Sequence, residues 1–338
     1  MRALVTGGGG FLGGAIVQQL LDAGWEPLSF SRSRHEGLHA LGVAQQQGDL
    51  ADPAAVAAAA EGCDAVFHVA ARVGSWGRRA DYWRTNVEGT ENVIAACRAN
   101  GIGRLVHTSS PAVAFQRRPE ASLDESAPYP DRYDAHYPAT KAEAERRVLA
   151  ANDADLRTVA LRPHLVWGPG DTSLLPRILS RARAGRLRRI ATDPPAMVDP
   201  TYIDDAARAH VLAAERLGTG DGVPSPAGRA YFISGGEPIS LWDMIDRLLA
   251  AAGLPPVERS VSVGTALTAA VVMEAIWTLL RLQSEPPMTR WTVRQLSTTH
   301  CLDISAARRD LGWAPQVPID QGLERLSAAL EDATGGTE

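Results

Sequence analysis

Tyr137 and Lys141 stand four residues apart in the run YPATK, and Lys141 is the sole lysine among 34 basic residues. On a helix, positions i and i+4 share a face, so a phenol and an ammonium would lie side by side. The ammonium is a compact charge with rotatable donors and a tunable pKa, whereas arginine is planar and permanently charged. A free phenol has a pKa of about 10 and needs nearby positive charge to exchange its proton near neutrality. A site needing a point charge beside a titrating partner would tolerate lysine and reject arginine. The bland alternative is a chance lysine on a solvated helix.

The run VTGGGGFLGG carries a second signal. Gly7, Gly10 and Gly13 follow an apolar stretch at GxxGxxG spacing and open a helical pattern. Glycines there let the backbone turn tightly and approach a pyrophosphate seated on the helix N-terminus. With a strand before and an amphipathic helix after, the run is a dinucleotide fingerprint rather than an isolated turn. Folds of this kind that take NAD end their second strand with Asp or Glu. Here SFSRSRH has no acid there, but Arg32 and Arg34, and a guanidinium pairs with a 2′-phosphate. That predicts NADP(H) over NAD(H). Asp49, in GDLAD, would hold the adenine amino group, and HVAA (68–71) would lie along the cofactor.

The elements that must carry these groups follow from periodicity. RALVT (2–6), PLSFS (27–31), DAVFHVA (64–70), RLVHTS (104–109) and RTVALRP (157–163) read as strands. Helical stretches alternate with them: the stripe Leu12, Ile16, Val17, Leu20 and Leu21; a run capped by Asp52 with Pro53 at its first position; and NVEGTENVIAACRANG. Such alternation implies an α/β Rossmann-type doubly wound parallel sheet, covered on both faces. The pattern loosens after residue 168. The expected organisation is a dinucleotide-binding domain over 1–168, with 199–235 returning to it because AYFIS (230–234) reads as another strand. Residues 169–198 and 236–330 would form a smaller substrate lobe.

Composition sets bounds. The chain has 338 residues, 45% hydrophobic and 22% charged, with a net charge of −5, so no global field attracts nucleic acid. Cys63, Cys97 and Cys301 lie far apart and read as reduced thiols of a cytoplasmic protein. The N-terminus runs straight into glycines, leaving no room for a signal peptide. Residues 264–280 are apolar but short for a membrane span and carry Glu274. They read as a lid, as the wall of an apolar pocket, or as a helix resting on a membrane surface. Eight histidines show no metal spacing, so no metal is expected. His68 and His107 fall in strands and read as packed core. His136 adjoins Tyr137, and Asn86 reads as structural.

Taken in order, TGGGGFLG (6–13), GDL (48–50), HVAA (68–71), TNVEGT (85–90), HTSSPAV (107–113), YPATK (137–141), LRPHLVWGPGD (161–171) and TYIDDAA (201–207) resemble the extended short-chain dehydrogenase/reductase family over almost the whole chain. The resemblance implies Tyr137 as general acid, Lys141 beside it lowering the phenol and holding the nicotinamide ribose, and Ser110, preferred to Ser109, on the oxyanion. It implies cofactor contacts from Gly7, Gly10, Phe11, Leu12, Gly13, Arg32, Asp49, Leu50, Val69, Ala70, Ala71, Thr108, Tyr137, Lys141, Pro163, His164 and Val166.

A narrower resemblance rests on GSWG (74–77), NVIAACRANG (92–101), VLAANDADLRTVALRP (148–163) and LLPRILSRARAGRLR (174–188). These segments resemble the 2-alkyl-3-ketoalkanoate reductases of bacterial long-chain olefin biosynthesis, near the 3β-hydroxysteroid dehydrogenase branch. That implies NADPH-dependent reduction of a long-chain β-keto acid, alongside a β-lactone synthetase and an α/β-hydrolase-fold condensing enzyme, in a homodimer. For such a substrate, residues 264–282 with Trp277, Leu279, Leu280 and Leu282 would line an apolar tunnel, and Trp76 would be a further substrate contact. Arg177, Arg290 or Arg294 would meet the carboxylate. Six arginines between Arg177 and Arg189 form either a solvated face or a docking face for an acidic partner. TDPPAM (192–197) and TGDGVPSPAG (219–228) look particular to this chain and bear on chain length. Rival readings are a sterol dehydrogenase, a nucleotide-sugar epimerase or reductase, and a non-catalytic NADP-sensing regulator.

Overall fold

A computed structural model of the protein describes residues 1–115, 120–218 and 225–335. Seven strands form one sheet: β1 (Arg2–Thr6), β2 (Glu26–Ser31), β3 (Ala44–Gln47), β4 (Ala65–His68), β5 (Arg104–Thr108), β6 (Arg157–Pro163) and β7 (Arg229–Ile233). Their order is β7-β6-β5-β4-β1-β2-β3, and every pairing is parallel. The longer helices up to residue 300 are α1 (Phe11–Asp22), α2 (Pro53–Ala60), α3 (Gly89–Ala99), α4 (His136–Ala150), α5 (Leu174–Arg183), α6 (Ile203–Gly218), α7 (Leu241–Ala251), α8 (Val263–Leu279) and α9 (Arg290–Ser297).

The sheet is buried on both faces, as its nearly continuous apolar strands require. On one face Ile16, Val17 and Leu20 of α1 join Ala207, Val211 and Ala214 of α6 over Val5, Val106 and Leu161. On the other, Val56 and Ala59 of α2 join Val93 and Cys97 of α3 over Leu4, Val66 and Leu105. Asp52 caps α2 by accepting from the amides of Ala54 and Ala55 at 3.0 and 3.2 Å, with Pro53 at the first helical position. Such a cap contributes about 1 kcal/mol. β3 is the strand that apolar runs do not reveal: AQQQ sits at the sheet edge with its flanks half in solvent. The chain lays down β1, β2 and β3 to one side and then crosses to β4 on the other. That reversal opens a crevice at the strand C-termini beside β1, where ligands of such sheets bind.

Residues beyond β6 build a second core in which Trp167, Leu175, Leu179, Ile190, Trp242, Ile245 and Val293 pack together. A small sheet pairs Ile239–Ser240, Met197–Val198, His300–Leu302 and Glu120–Leu123 in that order. The expected apolar tunnel is not built from α8. Only Ala266 and Ala270 of this helix are buried, while Leu279 and Leu280 are 81% and 61% exposed. Trp277 spends its indole N–H on the Ser284 carbonyl at 2.9 Å. The helix rests on the lobe through Ala266 and Ala270 with Val263 and Leu267 beside them, and Val271, Val272, Ile276 and Leu279 face outward. No helix among the described residues is long and apolar enough to cross a membrane. Residues 219–224 of the segment expected to shape the pocket lie outside the described residues.

Candidate active site

The crevice beside β1 is a cavity of about 650 Å³. Gly7, Gly10, Phe11, Leu12, Gly13, Arg32, Asp49, Leu50, Val69, Ala70, Ala71, Thr108, Tyr137 and Lys141 all line it. Two glycines explain its floor. Gly7 has φ +71°, and a Cβ there would meet Ala70 at 3.0 Å. A Cβ on Gly13 would sit 2.1 Å from the Gly7 carbonyl oxygen, so only glycine lets α1 start this close to β1. No side chain caps the first turn of α1, which leaves its amides aimed at the cavity for an anion. The cradle fits a dinucleotide pyrophosphate. Arg32 is exposed at the rim beyond β2, where a 2′-phosphate would be met; Arg34 is exposed too but does not line the cavity. Asp49 also reaches it, although one carboxylate oxygen accepts from Arg84 at 2.9 Å and the other from the Ala51 amide at 3.0 Å.

Helix α4 presents Tyr137, Lys141 and Glu145 at successive i+4 positions, and Lys141 and Glu145 are buried. The Lys141 ammonium donates to the Thr108 carbonyl at 2.6 Å and lies 3.3 Å from Nε2 of His107. Burial pushes its pKa down to about 8, with the Glu145 carboxylate acting the other way. Glu145 is anchored by Arg162, whose Nε and terminal nitrogen donate to its two oxygens at 2.9 and 2.6 Å, and by the Tyr129 hydroxyl at 2.6 Å. Burial opposes ionisation of Glu145, but the hydrogen bonds and charge of Arg162 outweigh it and hold the carboxyl group below its usual range.

Tyr137 departs from the expectation that Lys141 makes it acidic. Burial raises its phenol above the ordinary value of 10.0, and the group that pulls it back is the hydroxyl of Ser110. Lys141 is instead committed to Thr108 and His107. A tyrosine so placed keeps its proton at neutral pH and stands as a donor.

Ser110 and Ser109 divide as their backbone directs. Ser110 precedes the turn Pro111–Val113, accepts from the Ala112 amide at 3.3 Å and reaches Tyr137. Ser109 lines the cavity but turns its buried hydroxyl inward. It lies close enough to Glu145 to help lower that carboxyl group, yet makes no hydrogen bond of good geometry. Asn86 exchanges two hydrogen bonds with the backbone of Arg72, at 2.7 and 3.0 Å, and donates to Thr140, fixing the cavity wall to α4.

Other expected residues are not brought to the cavity. Pro163 ends β6, and His164 and Val166 follow it; none of the three lines the cavity. His164 is buried with Nδ1 3.0 Å from the Asp199 carbonyl, and burial pushes its pKa down to about 4. The arginines proposed for a substrate carboxylate are already neutralised: Arg177 pairs with Glu285 at 2.8 Å, Arg290 with Glu274 at 2.6 Å, and Arg294 with Asp134. Trp76 donates its indole N–H to the Leu282 carbonyl at 3.1 Å, tying the cavity rim to the segment after α8. Sequence reasoning passed over Trp291, whose ring meets Tyr137 edge-on at 6.3 Å. Trp291 also walls a second cavity of about 540 Å³, with Ala112, Phe115, Pro138 and His300.

Residues 4–262 match the model of the 3-beta hydroxysteroid dehydrogenase/isomerase family. The chain belongs to this family. Among its relatives, the 2-alkyl-3-oxoalkanoate reductase of Stenotrophomonas maltophilia is 52% identical, over 97% of this chain and 99% of that one. The protein of the same name from Shewanella oneidensis is 47% identical, over 97% of this chain and 86% of that one. Of solved structures, MoeE5 in complex with UDP-glucose and NAD superposes with a TM-score of 0.74 at 25% identity, covering 99% of this chain and 100% of that one. The fold is that of the nicotinamide-binding dehydrogenases and epimerases, and the chain is an oxidoreductase of alcohol and carbonyl groups that uses a nicotinamide cofactor.

Proposed function

We propose that the protein reduces the 3-keto group of a long-chain 2-alkyl-3-keto acid to the 3-hydroxy acid with NADPH. The observation that carries this reading is 52% identity, over nearly the full length of both chains, to a 2-alkyl-3-oxoalkanoate reductase. When bound, the reduced nicotinamide supplies the hydride. Tyr137 donates its phenolic proton to the carbonyl oxygen; burial holds the phenol above its ordinary value, so the proton is present at neutral pH. Ser110 donates to the same oxygen as charge develops. Lys141, lining the cavity one turn below the phenol, holds the ribose hydroxyls. In this reading the product passes to a β-lactone synthetase, and the substrate comes from a condensing enzyme that joins two acyl chains in olefin formation.

Arg32 supports NADPH over NADH, since β2 ends without an acid and this guanidinium lines the cavity. A charge-assisted contact of that kind is worth about 1.5–3 kcal/mol. Arg32→Ala should therefore lower the ratio of kcat/KM for NADPH over NADH by about ten- to a hundredfold; an unchanged ratio defeats the assignment. The substrate is tested by following NADPH oxidation with 2-alkyl-3-keto acids, 3-ketosteroids and UDP-sugars. Turnover of the keto acids is expected, and activity confined to steroids or sugars overturns the reading.

A further inference from the structure

Two histidines sit deep in neighbouring strands with rings 5.2 Å apart, and they are not alike. His68 is satisfied at both nitrogens, with Nδ1 2.9 Å from the Thr6 hydroxyl and Nε2 2.9 Å from the Thr90 hydroxyl. His107 is wholly buried, and its Nδ1 has no hydrogen-bond partner among the described residues. Among the described residues, the one polar contact its ring makes is Nε2 to the Lys141 ammonium at 3.3 Å. A buried imidazole is costly unless its nitrogens are used, so a ring with one idle nitrogen needs a reason at the other.

We propose that His107 is a positioning residue for Lys141: its Nε2 accepts one ammonium N–H, the Thr108 carbonyl accepts a second, and the third is left for the cavity. The proton of the imidazole then sits on Nδ1. Because Nδ1 meets no acceptor, His107 does not pass the lysine's proton onward; the ring orients the ammonium and stabilises its charged form. The groups facing Lys141 agree with this. Burial keeps His107 neutral, helped by Lys141, His68 and His210. Tyr137 lies one turn before Lys141 on α4, and Glu145, one turn after it and paired with Arg162, also favours the charged ammonium.

The inference rests on the assignment of Lys141 to the reaction, but its test does not depend on turnover. Lys141 is the sole lysine, so protein carrying 13C- and 15N-labelled lysine gives one side-chain ammonium signal, whose titration is that of this residue. Removing an acceptor in His107→Leu should lower the midpoint by about one to two pH units, the scale of a hydrogen bond to a charged group. His107→Gln, with an amide oxygen near the place of Nε2, should restore it. The alkaline limb of kcat/KM with the keto acid should move with the midpoint in both variants. A Leu variant with the wild-type midpoint overturns the proposal. Should the Leu variant fail to fold, 15N-histidine spectra of the wild type decide, with His107→Gln identifying the signal. An unprotonated Nε2 and a protonated Nδ1 are expected, and the opposite tautomer at pH 7 contradicts the role. Loss of keto acid turnover in the wild type would sink the functional reading and leave the lysine titration intact.

Discussion

An ammonium buried to 2% exposure costs free energy, and Lys141 shows where that cost is borne. The unfolded chain holds the lysine proton up to its ordinary value of 10.5, while the folded site holds it only to about 8. Between those values the unfolded state binds more protons, so stability rises with pH there, and below pH 8 the penalty is in full force. Lys141→Met should therefore raise the stability of nucleotide-free protein at pH 7 by about 1–3 kcal/mol, a gain that shrinks toward pH 10.5, and abolish turnover. Denaturation at several pH values checks the first and NADPH oxidation the second; a Met variant less stable than wild type at pH 7 contradicts the account. Tyr137, Lys141 and the glycines were legible in the sequence because their chemistry lies in contiguous runs. His107 was not. A histidine in an apolar strand looks like packing until the fold shows which atom lies across from it. Trp291 was hidden likewise, since only α9 brings it against Tyr137.

At the scale of elements, a buried ion pair ties α4, with Tyr137 and Lys141, to the sheet. Arg162 on β6 and Glu145 on α4 are 4% and 0% exposed at their side chains, and the Arg162 guanidinium stacks over Phe232 at 5.0 Å. Glu145→Gln would strand a buried guanidinium, and breaking one partner of such a pair costs about 3–5 kcal/mol. Urea denaturation should show a loss of that order, whereas a loss under 1 kcal/mol means the pair is dispensable. The strands that apolar runs mark, β1, β2, β4, β5 and β6, were legible because a strand covered on both faces must be apolar throughout. β3 escaped that signal because a polar edge strand carries little of it. The orientation of α8 escaped for the opposite reason: a helix apolar on nearly every side does not announce which side is packed.

Across the whole molecule, the dinucleotide half was far more legible than the lobe beyond it. The cofactor cavity is set by backbone geometry that a few glycines declare, whereas the second core depends on ion pairs between distant segments. Arg177 with Glu285 and Arg294 with Asp134 bring together residues more than 100 positions apart. Both lobes meet at Tyr137, with Ser110 on the sheet side and Trp291 on the other. The measurement that tests this meeting most directly is single-turnover transfer of deuterium from 4-deuterated NADPH to a 2-alkyl-3-keto acid, by wild type and by Tyr137→Phe. The account predicts one deuterium at C3 of the hydroxy acid, with a rate about 10²- to 10⁴-fold lower in the Phe variant and nucleotide binding retained. Transfer by the Phe variant within a few-fold of wild type, or no label at C3, would contradict it.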